Sequence, residues 1–229
     1  VDNGSITIRR TLDKHRAHAA IGDTYMPLIS EQNQAFPEWC ELRFYEITQL
    51  SSGGVIAVEP ASDKTLLIVG DGQARISKRD LARGELVALD GPTEVSAGPD
   101  GATLIRMSGT WGDELGGMGL FGVHEVDSPS DGGDPVDYPK ATSFDAHYHD
   151  CDEYWIIYAG SGTAVSEGIA YEVGPGDCIA TGMGHHHDFP RASEPIQAVF
   201  FETTLQGEKR RGHLWNHTHG TAQPQPDRI

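Results

Sequence analysis

Apolar residues along this chain rarely recur at helical spacing. Thr11 to Ile21 is compatible with a short helix, which Gly22 and Pro27 would confine. Elsewhere the apolar segments have strand length. Leu66 to Val69 and Trp155 to Tyr158 are continuous apolar runs, each closed by a glycine, Gly70 and Gly160. The 28 glycines and 13 prolines supply frequent turn signals. The pattern predicts an all-β protein of short antiparallel strands.

The strand pattern repeats. Asp63 to Gly70 aligns with Glu153 to Gly160, each an acidic residue, an apolar run and a glycine. Both continue into Gly-x-small, at Gly72–Ala74 and Gly162–Ala164. Arg83-Gly84-Glu85 then matches Pro175-Gly176-Asp177, so the offset stays near 90 residues. Two such meanders predict two β-barrels or β-sandwiches in tandem. The cores of the two units are placed near residues 36–124 and 140–205, with Asp127 to Pro139 as an exposed connector. The expected domains are 1–125, with an N-terminal arm, and 126–229, ending in a loose tail from Thr218 to Ile229.

Charge narrows the partners. A formal net charge of −17 repels phosphates and anionic membranes, so neither nucleic acid nor membrane is expected as a partner. Cys40, Cys151 and Cys178 are too few and too scattered for a disulfide framework. Val1 to Arg10 lacks an apolar signal core, and a cytoplasmic location is expected. Exposed sheet faces and edges lead to the expectation of a homodimer.

The densest chemistry lies in His147-Tyr148-His149-Asp150-Cys151-Asp152-Glu153. Strand alternation points His147 and His149 the same way, with Glu153 in phase or carried round by a turn. His187 arrives from a later strand. Two or three imidazoles and a carboxylate suit one divalent transition metal ion, whether Fe, Mn, Ni, Co, Zn or Cu. His185 precedes His187 by two, so alternation would turn it inward as a catalytic group, or make it the ligand in a shifted register.

These residues resemble the two motifs of the cupin superfamily. The first, His-x-His, three or four residues, Glu, six residues, Gly, is met by His147, His149, Glu153 and Gly160. The second, Gly, five residues, Pro-x-Gly, two residues, His, is met by Gly176, Gly184 and His187. Gly182 stands where Pro is usual, Arg191 where Asn is common, and Ala141 where a leading Gly is usual. The resemblance implies two tandem jelly-roll barrels, a bicupin, with three His and one Glu around the metal. In the first copy Ala57, Glu59, Asp63 and Val95 stand at the ligand positions, so that barrel is expected to hold no metal.

Other side chains follow from alternation. Trp155 and Ile157 are in phase with Glu153 and should line the second barrel, with Phe189 and Phe201, where they would contact a small-molecule substrate. Tyr148 and Tyr154 fall out of phase and should pack outside. Tyr171 is a second candidate for proton transfer. Cys151 is given no role. The basic segment Gly207 to Trp215, weakly echoed at Gly112 to Phe121, is expected to make surface ion pairs, and His217-Thr218-His219 to be tail. Three functions fit: Lewis-acid-assisted proton transfer on a sugar, hydroxy-keto or enol acid (isomerase, epimerase or lyase); an Fe(II)-type dioxygenase; or metal or sugar binding without turnover.

Overall fold

The computed structural model describes residues 28–113, 115–129, 133–148, 151–203, 215–216 and 223–224. The segments Thr11 to Ile21, 207–214 and 217–219 therefore lie outside the described residues. The strands are β1 Leu28–Ser30, β2 Leu42–Leu50, β3 Val55–Val58, β4 Lys64–Ile76, β5 Arg79–Ala82, β6 Leu86–Ala88 and β7 Thr93–Gly109. They continue as β8 Gly117–Val123, β9 Asp152–Ser166, β10 Ile169–Val173, β11 Asp177–Thr181, β12 His187–Thr203, β13 Trp215–Asn216 and β14 Gln223–Pro224. No helix occurs among the described residues, as the apolar spacing predicts.

Two six-stranded antiparallel sheets carry the fold, beside the β13–β14 pair. One runs β2-β7-β4-β5, with β3 on β7 and β6 on β4. The other runs β8-β12-β9-β11-β1, with β10 on β9. The internal repeat is visible in the backbone. Ser77 and Glu167, 90 positions apart, both take positive φ in the tight turns after β4 and β9. These are the left-handed turn conformations that match the twist of paired strands.

The continuous apolar runs are strands buried on both faces. In β9, Tyr154, Ile156 and Tyr158 face a core shared with the first sheet, while Trp155 and Ile157 face a cluster belonging to the second sheet. In β4, Leu66 and Ile68 enter the shared core, and Leu67 and Val69 the first sheet's own cluster. Hydrogen bonds cross the seam as well. The Tyr154 hydroxyl accepts from Glu41 N at 2.8 Å, and Tyr45 donates to the Gly176 carbonyl at 2.8 Å.

Three expectations change here. The hydrogen-bonded strand order is open in both sheets, so neither closes into a barrel through its strand pairing. The sheets also do not divide at residue 125/126: β1 pairs with β11, and β8 with β12. Both edge pairings join strands distant in sequence, which a linear repeat does not reveal. Tyr154 is out of phase with Trp155, yet it is fully buried in the shared core, because the first sheet covers what alternation marks as the outer face.

Candidate metal centre

Three of the four sequence-selected ligands converge. His147 and His187 form an antiparallel bridge, with His147 N donating to His187 O at 3.1 Å and His187 N to His147 O at 2.9 Å. Residues paired this way project from the same face. Glu153, near the start of β9, supplies the carboxylate. The ligand atoms of His147, Glu153 and His187 all lie within 4.8 Å of one another, forming the one such group among the described residues. His149 lies outside the described residues.

The donor set fits a cation. His147 Nδ1 is 2.8 Å from the Asp145 carbonyl, and His187 Nδ1 is 2.8 Å from the His185 carbonyl. A carbonyl only accepts, so each Nδ1 carries the proton, and in the neutral rings each Nε2 keeps its lone pair. Those two Nε2 atoms face each other at 3.2 Å, with Glu153 Oε2 3.0 Å from His187 Nε2. Lone pairs and a carboxylate crowded together repel unless a positive charge joins them. A divalent ion of borderline softness does so, and the carbonyl bonds behind the rings fix the tautomer such a ligand needs.

A buried clamp holds the two histidine segments together. The Lys140 ammonium bonds the Phe144 carbonyl and lies 2.8 Å from Asp188 Oδ1. Tyr138 donates to the other Asp188 oxygen at 3.0 Å. Burial raises the Asp188 carboxyl above the ordinary aspartate range, while the Lys140 and Tyr138 bonds pull it back. Ala141 N donates to the Pro190 carbonyl at 2.8 Å, keeping the stretch before His147 beside the start of β12. Sequence spacing gives no sign of this clamp, because its members lie about fifty positions apart.

The wall behind the centre is aromatic. The Trp155 ring lies 5.0 Å from that of His187 and stacks on Phe189 at 4.7 Å. Phe144 packs 5.3 Å from Trp155 and 6.0 Å from His147. Phe121, on β8, lies 5.7 Å from Trp155. Trp155, Ile157 and Phe189 share this cluster, as alternation predicts, and Tyr171, whose facing the sequence leaves open, joins them. Phe121 and Phe144 escaped the sequence reading. The first sits in a strand assigned to the other half, the second outside any regular strand.

Phe201 is a correction. It lies in the shared core, 4.9 Å from Trp111, away from the centre. A register shift between Asp188 and Arg191 reverses the alternation of β12, so Phe189 and Ala192 face the same cluster although they are three apart. Phe200, opposite Trp155, takes the position expected of Phe201.

His185 does not occupy the strand position that alternation assumes for it. Strand β12 begins at His187, and residues 182–185 form a turn in which His185 N donates to the Gly182 carbonyl at 3.1 Å. Alternation does not apply in a turn, and His185 is not a member of the ligand group. Its ring stands beside Gly182 and its Nδ1 is buried without a protein partner among the described residues. Glu202 was missed altogether: it is buried and lies opposite Glu153 in register. The cysteines are poor nucleophiles where their acidity is resolved. Burial pushes the Cys40 thiol up to about 12 and raises Cys178 well above its usual range.

The corresponding row of the first sheet is hydrocarbon. Val95 stands opposite Ile56, as His187 stands opposite His147. The residue matching His147 is thus Ile56, one position before Ala57. Ala57, Glu59 and Asp63 are exposed, and none belongs to a ligand group.

No family model matches the chain. The uncharacterized protein y4oW of Sinorhizobium fredii is 42% identical over 200 residues, covering 84% of this chain and 92% of that protein. Among solved structures, hazelnut (Corylus avellana) vicilin aligns with TM-score 0.51 at 10% identity, over 80% of this chain and 81% of its own. A mutant of Bacillus subtilis oxalate decarboxylase aligns with TM-score 0.50 at 10% identity, over 87% and 74%. A cupin 2 conserved barrel domain protein from Leptotrichia buccalis aligns at TM-score 0.39 and 10% identity, over 80% and 91%. The structural neighbours include cupin-type barrel proteins, and the likeness is one of fold.

Proposed function

The chain belongs to the same family as the S. fredii protein y4oW, and we propose that it is a metal-dependent bicupin enzyme acting on a small oxygen-rich molecule by Lewis-acid-assisted proton transfer. The observation that carries this reading is the meeting of His147, Glu153 and His187 ligand atoms within 4.8 Å. His149 would complete the set from the same segment. The second half alone is active in this reading, and the first half is a structural partner. The enzyme would work in the cytoplasm as a homodimer.

A divalent ion held at the centre supplies Lewis acidity toward neighbouring oxygens of the substrate. The chain's own residues do the rest. His147 and His187 are fixed by their Nδ1 bonds, so they need not reorganise when a ligand binds. Trp155, Ile157 and Phe189 exclude water from one side. Tyr171, buried in the same cluster, is one candidate to carry the proton through its hydroxyl, and His185 another, through the ring at the turn.

The aromatic wall favours a second reading, an Fe(II)-type dioxygenase, because Trp155, Phe144 and Phe121 would suit a substrate with an apolar or aromatic part. Fold alone does not choose between the two. Anaerobic purification, metal identification and a panel of sugars, diols, hydroxy-keto and enol acids would decide. Substrate conversion without oxygen uptake is expected. Oxygen consumed in step with substrate loss would replace the first reading with the second. Tight binding across the panel without turnover would leave a binding protein.

A further inference from the structure

The row of paired residues that holds the two histidines has a third member. Ser166, the last residue of β9, stands opposite His187 in the antiparallel ladder, on the side away from His147. Directly opposed residues share a face, with Cβ atoms about 5 Å apart. Ala164, two positions earlier, faces the interior cluster of this sheet, so Ser166 projects inward too. The row thus reads His147, His187, Ser166.

The first sheet contains the same row, as Ile56, Val95 and Ile76, through the pairings Ile56 with Val95 and Val95 with Ile76. Hydrocarbon fills it there, with Val95 fully buried and Ile56 and Ile76 packed against the same cluster. The second sheet makes all three positions polar. Each histidine has a carbonyl partner at Nδ1 and belongs to the ligand group. Ser166 does not: its residue is 1% exposed, and its Oγ has no hydrogen-bond partner among the described residues. Burying a hydroxyl unpaired costs stability, and a site that can house isoleucine needs no serine for packing.

We propose that Ser166 is a substrate-contacting residue whose hydroxyl bonds an oxygen of the molecule bound at the metal centre, so that it helps select oxygen-rich ligands over isosteric apolar ones. This rests on the metal-dependent reading above. The residue has two properties that a purely structural serine lacks. Its hydroxyl contributes nothing to the unliganded fold, and its contribution appears when a ligand oxygen arrives.

The test uses the full chain loaded with cobalt(II), whose visible absorption reports on the ligands, and acetohydroxamate as a two-oxygen probe. Ser166→Ala should take up cobalt with an affinity within about twofold of the parent. Its acetohydroxamate Kd should rise about tenfold, as for a lost hydrogen bond to a charged group. Ser166→Thr, which keeps a hydroxyl, should recover most of the loss. Without probe, Ser166→Ala should melt no lower than the parent. An unchanged acetohydroxamate Kd with normal cobalt uptake would overturn the proposal and leave the metal centre standing. A lower melting temperature of unliganded Ser166→Ala would overturn it in favour of a structural role. Failure of the parent chain to take up cobalt would overturn the metal-dependent reading and this proposal with it.

Discussion

Trp155→Ala removes the side chain that backs the metal centre, and its cost follows from its surroundings. Trp155 is 2% exposed, stacks on Phe189 and touches Phe121, Phe144 and the His187 ring. A buried tryptophan removes roughly 200 Å² from water, and at about 25 cal/mol per Å² that is about 5 kcal/mol. Alanine recovers part of this and leaves a cavity, so a destabilisation of about 3–5 kcal/mol is expected. For a chain of this size each kcal/mol lowers Tm by about 2–4 °C, giving a drop of roughly 6–20 °C. His187 keeps its Nδ1 bond to the His185 carbonyl but loses the wall that fixes its ring, so metal affinity should fall by about tenfold or more. Urea unfolding followed by circular dichroism measures the first effect, and competition with a chromophoric chelator the second. Trp155→Phe should lose less on both. A loss of under about 1.5 kcal/mol for Trp155→Ala would refute the packing argument. Intact metal affinity alongside the full stability loss would refute the idea that the aromatic wall holds His187.

Three further outcomes are expected. Lys140→Met leaves the buried Asp188 carboxylate without its cation and should cost about 3 kcal/mol, with weakened metal uptake because the His147 and His187 segments lose their clamp; denaturant unfolding and metal titration check both. Tyr154→Phe removes the acceptor for Glu41 N at the seam between the sheets and should cost about 1–3 kcal/mol while leaving metal content unchanged. Burial raises the Asp177 carboxyl, so its protonated form is favoured in the fold. Its contribution to stability is full below about pH 4, the ordinary aspartate value, and is lost as pH rises through the raised value. Asp177→Asn should flatten that part of the stability profile, measured by unfolding across a pH series.

Much of this architecture was legible in the residues. Apolar runs ending in glycine gave the strands, and their 90-residue offset gave the two similar sheets. His147, Glu153 and His187 followed from motif spacing, because a metal centre needs specific residue types at specific intervals. What escaped has physical causes. Phe201 was misplaced because alternation assumes an unbroken ladder, and β12 changes register between Asp188 and Arg191. His185 was misplaced because it belongs to a turn, where period-two reasoning has no force. The exchange of β1 and β8 into the second sheet depends on edge pairings between distant segments. The Lys140–Asp188 clamp and the unpartnered Ser166 hydroxyl become visible only when strands are set side by side.

The central claim is that His147, Glu153 and His187 hold a metal. Elemental analysis of the purified chain, beside His147→Ala, Glu153→Ala, His187→Ala and His185→Ala, tests it most directly. One divalent transition metal ion per chain is expected in the parent and in His185→Ala. Affinity should fall by more than about a hundredfold in each of the other three, beyond the loss usual for residues that only support a ligand. Equal metal content in all five proteins, or none in the parent after growth with the metals supplied, would contradict it.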